Sequence, residues 1–132
     1  MKIVNDSIKI NGSANMVFNT LKEMFLSEDG YKKWHNDHIT CRWIKGNPFS
    51  IGSQLIVEEI LHNEVHRLKF KVSNIIENQL FEYTTSFPIS LMIVKGSFIV
   101  EQEKGYSTFN TKMYIRFGTI FEVLFSNQVQ QI

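Results

Sequence analysis

The sequence is poor in the features that announce a chemistry by themselves. It holds a single cysteine in 132 residues, so no intrachain disulfide can form. It has almost no net charge: fourteen Lys and Arg against thirteen Asp and Glu leave +1, which removes any overall electrostatic argument for nucleic acid or an anionic membrane as partner. It has no long apolar run either. Even Phe117 to Phe125 is interrupted by Gly118, Thr119 and Glu122, far short of the roughly 18 residues that a membrane-spanning helix needs. Residues 1 to 20 show no basic start followed by an apolar stretch and a small-residue cleavage site, and the expectation is a cytoplasmic chain. Gly-rich phosphate loops of the Walker or dinucleotide type are missing, as are a nucleophile elbow and a Ser-His-Asp order, which argues against ATP, NAD and serine-hydrolase chemistry. By elimination the expected partner is a small molecule, with no nucleic acid and no integral membrane contact.

What is present is bulk. The chain is 43% hydrophobic and 13% aromatic, with eleven phenylalanines, enough for one domain spanning residues 1 to 132 with a substantial core. The densest chemistry lies in Tyr31-Lys32-Lys33-Trp34-His35-Asn36-Asp37-His38-Ile39-Thr40-Cys41-Arg42-Trp43, which holds two of the four histidines, a carboxylate, the cysteine and both tryptophans. Proton-transferring or metal-binding groups beside large aromatic walls are the mixture found where a ligand pocket meets its chemistry.

Ile3 to Ile10 alternate as a half-buried strand closed by Asn11-Gly12. Ser13 offers an N-cap, and Met16, Val17, Thr20, Leu21, Met24 and Phe25 recur at helical spacing. A second short helical segment surrounds Tyr31 to His35. From Ile39 the period changes to two, with strands expected at Thr40 to Lys45, Ser53 to Leu61, Val65 to Ile75, Leu80 to Phe87, Val94 to Gln102 and Thr108 to Ile115. The last segment, Thr119 to Gln131, returns to helical spacing through Ile120, Phe121, Leu124, Phe125 and Val129. The order predicts an α+β fold: a seven-stranded curled antiparallel sheet, two short helices after the first strand, and a C-terminal helix over the concave face.

This order resembles the helix-grip or START-like fold of the SRPBCC superfamily, which includes polyketide cyclases, aromatase/cyclases, lipid-transfer domains and the birch-pollen allergens. The resemblance is carried by Ser13-Ala14-Asn15-Met16-Val17-Phe18, Trp34, the Gly46-Asn47-Pro48-Phe49-Ser50-Ile51-Gly52 turn and Gly96-Ser97-Phe98. It implies a cavity between sheet and last helix that takes a hydrophobic molecule of polyketide, phenolic or lipid type. The residues expected to line it are Trp34, Trp43, Val57, His66, Phe70, Tyr83, Phe98 and Phe121, with Met92, Phe117 and Phe125 completing the wall.

The hairpin at Asn63-Glu64 supplies the chemistry. If Leu61 faces His66, then Glu59 pairs with Leu68, Val57 with Phe70 and Glu58 with Lys69. One face then reads Leu55, Val57, Glu59, Leu61, His66, Leu68, Phe70 and Val72, and the other is charged. The charged face belongs outside, so Glu59 is a carboxylate in an inward apolar row. Burying it without a partner costs several kcal/mol or keeps it protonated, and this singles out Glu59. A one-residue slip at the turn would exchange it for Glu58.

Tyr31 to His38, followed by a strand carrying Glu58-Glu59, is also similar to the zinc-dependent diacetylphloroglucinol hydrolases. That resemblance implies His38, or else His35, and Glu59 as metal ligands. The family's His-x-x-x-Glu pair on the last helix is missing from Thr119 to Ile132, so the zinc set is incomplete unless His35, Asp37 or His66 joins it. The first reading is therefore a binding domain for a hydrophobic small molecule. The second is an enzyme of cyclase or metal-dependent hydrolase type using His38 and Glu59. The third is a homodimer formed through the apolar C-terminal helix. Cys41 reads as a small buried hydrophobe.

Overall fold

Period-two alternation becomes strand wherever one face can be buried, and here it does so seven times. The computed structural model describes residues 2–26, 28–34, 36–61, 63–86, 90 and 93–116. In order, the elements are β1 (Lys2–Ile10), α1 (Ala14–Met24), α2 (Glu28–Trp34), β2 (His38–Lys45), β3 (Gln54–Leu61), β4 (Glu64–Ile76), β5 (Leu80–Thr85), β6 (Ile93–Gln102) and β7 (Ser107–Ile115). They form one antiparallel sheet in the order β1-β7-β6-β5-β4-β3-β2, so β2 to β7 run as a meander and β1 returns beside β7. Breaks in register fall between His38 and Thr40, Trp43 and Lys45, Val72 and Asn74, and Ile93 and Lys95. Such irregularities bend strands and raise twist, curling the sheet around whatever covers one face. The expected C-terminal helix lies outside the described residues.

The cover among the described residues is α1 and α2. Ser13 caps α1, its hydroxyl accepting from Met16 N at 3.2 Å. The helix buries Ala14, Val17, Phe18 and Leu21, and Phe25 follows at its C-cap. The buried stripe is rotated from the one expected: Phe18 is 0% exposed, whereas Met16 is 48% exposed, because the stripe that meets the sheet runs through 14, 17, 18 and 21. Two hydrogen bonds fasten the entry to α1. Ala14 N donates to Gln102 Oε1 at 2.7 Å and Ser107 Oγ to Gly12 O at 2.7 Å. The helix α2 then packs so closely on the end of α1 that a Cβ on Gly30 would lie 2.5 Å from Glu23 O. Glycine is what lets the two backbones approach.

The β3–β4 hairpin differs from expectation by two residues. Leu61 pairs with Glu64, Glu59 with His66, Glu58 with Arg67 and Val57 with Leu68. Asn63, at φ 62°, supplies the left-handed residue of the turn, a conformation that asparagine tolerates better than most. The turn therefore closes before Glu64 rather than on it. The described side chains face as expected, since a shift of two preserves strand parity. The core gathers Leu55, Val57, Leu68, Val72, Phe81, Phe98 and Val100 from the sheet against Val17, Phe18, Leu21 and Phe25.

Candidate functional site

Three elements aim polar side chains into this core at one place. β2 and β3 are paired so that His38 stands opposite Glu59, and α2 brings Tyr31 above both. All three residues are buried, Tyr31 and His38 to 2% exposure and Glu59 to 8%. The Tyr31 hydroxyl donates to Glu59 Oε1. The rings of Tyr31 and His38 stack at 4.0 Å between centroids and 8° between planes, which fixes the imidazole's orientation. His38 Nδ1 lies 3.1 Å from the carbonyl oxygen of Tyr31. A carbonyl only accepts, so Nδ1 carries a proton. Nε2 is thereby the nitrogen turned to the carboxylate, 3.8 Å from Glu59 Oε1.

These groups form the polar end of a cavity of about 40 Å³ lined also by Phe25, Leu55, Phe70, Phe81, Tyr83 and Phe98. The walls are a web of rings: Phe25 stacks on Phe81 at 5.6 Å, Phe81 meets Phe98 edge-on at 5.9 Å, and Phe70 meets Tyr83 edge-on at 4.8 Å. Tyr83 keeps its place because residue 96 is glycine. A Cβ there would fall 2.2 Å from the Tyr83 hydroxyl oxygen. Burial, and after it the charge of Glu59, pushes the phenols of Tyr31 and Tyr83 above their ordinary range. The same two causes push the Cys41 thiol up to about 12. Both phenols stay protonated donors, and Cys41 stays a thiol with no nucleophilic character at neutral pH.

Of the residues expected at a site, His38, Glu59, Phe70, Tyr83 and Phe98 line this cavity together. Val57 is fully buried in the adjoining core. Trp43 serves the scaffold: its Nε1 donates to the Phe25 carbonyl at 2.9 Å, and Cys41 Sγ donates to the same oxygen at 3.2 Å. Together they hold the C-cap of α1 against β2, and with it the Phe25 ring. His66 stands opposite Glu59 in the ladder but sits nearer solvent, with Nε2 3.8 Å from Glu64 Oε2. His35, Met92, Phe117, Phe121, Phe125 and the side chain of Trp34 lie outside the described residues. Leu55, expected in the inward apolar row, lines the cavity as well. Sequence reasoning missed Tyr31 and Phe25 as wall residues. Gly30 beside Tyr31 was the available signal, because a glycine that lets two helices touch carries its neighbour inward.

His38 Nε2 and Glu59 Oε1 are close enough to share one ion, since two ligands about 2.0 to 2.2 Å from zinc can stand 3.8 Å apart. A zinc site needs a third protein ligand, and among the described residues no group of three His, Cys, Asp or Glu side chains converges. The described residues do not make a zinc centre. What they can do is bind a polar group and hold or pass a proton among Tyr31, Glu59 and His38.

The sequence matches no protein-family model and no curated protein. Solved structures do match it. A START superfamily protein from Mycobacterium smegmatis superposes with a TM-score of 0.73 at 12% identity, over 98% of this chain and 90% of that one. The Aha1 dimer from Colwellia psychrerythraea gives 0.67 at 21% identity, over 98% and 88%. Norcoclaurine synthase from Thalictrum flavum, in complex with dopamine and hydroxybenzaldehyde, gives 0.69 at 11% identity, over 96% and 76%. Identities this low establish fold and leave chemistry to the site. The chain has the helix-grip, START-like fold.

Proposed function

We propose that the chain binds a hydrophobic or aromatic small molecule, of polyketide, phenolic or lipid type, with one polar group directed at Tyr31, Glu59 and His38. The supporting observation is the cavity's division into an aromatic wall and a single polar end. Apolar lining with a few convergent polar groups is the usual make-up of a small-molecule site. Norcoclaurine synthase, of the same fold, is seen with two phenols, dopamine and hydroxybenzaldehyde. At about 40 Å³ the cavity accommodates a few waters or the leading polar end of a ligand; an apolar cavity that takes up benzene measures about 150 Å³. A ring therefore enters by displacing Phe25, Phe70 or Tyr83. Native mass spectrometry of protein taken directly from cells, followed by thermal-shift titration with phenols and fatty acids, tests the reading. A ligand at 100 times its Kd stabilises the fold by about 2.7 kcal/mol. No retained mass and no shift with any of them would overturn it.

A second reading is catalytic, with Glu59 and His38 as acid-base groups and Tyr31 as the donor that orients the carboxylate. It is favoured by the buried Tyr31–Glu59 hydrogen bond beside an imidazole of fixed tautomer. The hydrolase-like variant of this reading needs zinc on His38 and Glu59 with a third ligand from outside the described residues, for which His35 is the candidate. Metal analysis of protein purified without chelator, repeated on His38→Ala, decides it: metal lost in the variant supports zinc, and metal in neither sample removes it. A homodimer is the remaining proposal. The similar Aha1 structure is a dimer, and elution as a monomer at micromolar concentration would refute a dimer here.

A further inference from the structure

The overall charge of +1 conceals an uneven distribution. Parity along the ladder settles which side chains share the sheet face opposite the cavity. On β2, β3 and β4 that outer face carries Arg42, Lys45, Arg67, Lys69 and Lys71 against one carboxylate, Glu58. The balance there is +4, which leaves −3 for the rest of the chain. The row Lys45, Gln54, Lys71, Thr84, Lys95 crosses five consecutive strands without an acid. All five cations of the patch are exposed. Among the described residues, the ion pairs involve Lys22, His38 and His66 and none of these cations. Glu58 is engaged by the Thr40 hydroxyl at 3.0 Å.

Aliphatic side chains stand beside the patch. Val65 shares its face and is 60% exposed. Ile44, at the register break before Lys45, is 41% exposed, and Ile51, in the loop between Lys45 and Gln54, is 66% exposed. Strands about 4.8 Å apart with outward residues every 6.6 to 7 Å spread these cations over an area of lipid-headgroup scale. Large aliphatics bordering a cationic face match an anionic bilayer, in which headgroup phosphates meet the lysines and acyl chains meet the rim. The outer face of β2 to β4 offers no aromatic ring on which a base could stack, which disfavours single-stranded nucleic acid.

We infer that the outer face of β2 to β4 docks the protein on an anionic lipid surface through Arg42, Lys45, Arg67, Lys69 and Lys71. The inference does not depend on what the cavity holds. Each Lys or Arg near such a surface is worth about fivefold in affinity, so reversing two of them reduces binding by more than about tenfold.

The test is co-sedimentation of the full chain with phosphatidylcholine vesicles, with and without about one third phosphatidylglycerol, at low and at physiological salt. The wild type is expected to bind only the anionic vesicles and to weaken with salt. Lys69→Glu with Lys71→Glu reduces binding by more than about tenfold, and Arg42→Glu with Lys45→Glu on the edge strand is the second route should the first pair disturb folding by circular dichroism. Lys32→Glu with Lys33→Glu on α2 makes the same change in net charge and leaves binding intact. No binding to anionic vesicles at low salt, equal loss in the α2 variant, or tighter binding to duplex DNA than to the vesicles would each overturn the inference.

Discussion

Replacing Tyr31 by phenylalanine isolates the interaction on which the candidate site is built. The ring remains, and with it the stack on His38 at 4.0 Å, so the loss is confined to the hydroxyl that donates to Glu59 Oε1. Hydrogen bonds to a charged acceptor contribute about 1.5 to 3 kcal/mol, and neutral ones about 0.5 to 1.5. Glu59→Gln keeps an acceptor oxygen of the same shape and removes the charge. Tyr31→Phe should therefore cost about 2 kcal/mol in the wild type and about 1 in the Glu59→Gln background, a coupling of about 1 kcal/mol. Urea unfolding of the four proteins at neutral pH measures it, with equal slopes confirming comparable denatured states. A coupling within about 0.3 kcal/mol of zero, the scatter expected of independent sites, would refute the premise that a charged carboxylate accepts from Tyr31. A second readout is available because the chain has one cysteine. The charge of Glu59 is the second cause, after burial, of the raised Cys41 thiol. In Glu59→Gln the Cys41 Cβ resonance should titrate at lower pH than in the wild type, and an unchanged titration would refute the charge independently.

The same thiol sets an alkaline limit on stability. Its ordinary value is 9.0 and burial raises it to about 12, so below pH 9 both folded and unfolded chains hold the proton and the contribution is intact. Between pH 9 and 12 the unfolded chain sheds a proton that the folded chain retains, and stability falls by about 1.4 kcal/mol per pH unit, about 4 kcal/mol in all. Cys41→Ala removes this slope, so urea midpoints of variant and wild type measured from pH 8 to 11 should converge as pH rises; parallel curves would contradict it. Gly96→Ala should destabilise by about 1 to 3 kcal/mol through collision of the new methyl with Tyr83. In a Tyr83→Ala background the same change should cost much less, and strict additivity in thermal unfolding would count against the collision. Ser13→Ala should cost about 0.5 to 2 kcal/mol by removing the cap on α1, measurable as a fall in Tm, with Ser13→Asn recovering most of it.

The sheet was largely legible because its signals are local. Alternation marks a strand with one buried face, and residues able to adopt positive φ mark the ends: Gly46, Asn63, Asn78 and Gly105 all sit between strands and all do so. The expected boundaries of β2, β3, β4, β6 and β7 agree with the observed ones to within two residues. Helix α1 was legible in its cap and spacing but not in which of two adjacent stripes it buries. Amphipathic period alone does not choose between Met16 and Phe18; the packing partner does, and that partner is the far side of a sheet not yet formed. The outward charges of β2 to β4 were visible as a row opposite the apolar one, while their concentration relative to the whole chain emerges only when neighbouring strands are laid side by side.

Glu59 and Tyr31 divide what pattern can reach from what it cannot. The hairpin register was expected two residues from where it lies, yet Glu59 still faces inward, because side chains alternate with period two and a shift of two returns each to its own side. Its place was robust to the error and its neighbour was not: His66, rather than Leu68, stands opposite. Pairing with His38 depends further on the irregular register between His38 and Thr40, for which the sequence carries no local signal. Tyr31 depends on a longer chain of causes. It reaches the carboxylate because α2 rests directly on the end of α1, which requires that residue 30 have no side chain. A carboxylate placed by strand parity and a donor placed by a missing Cβ thus meet at one hydrogen bond, and a substitution at Gly30 should disturb the site without touching any of its polar groups.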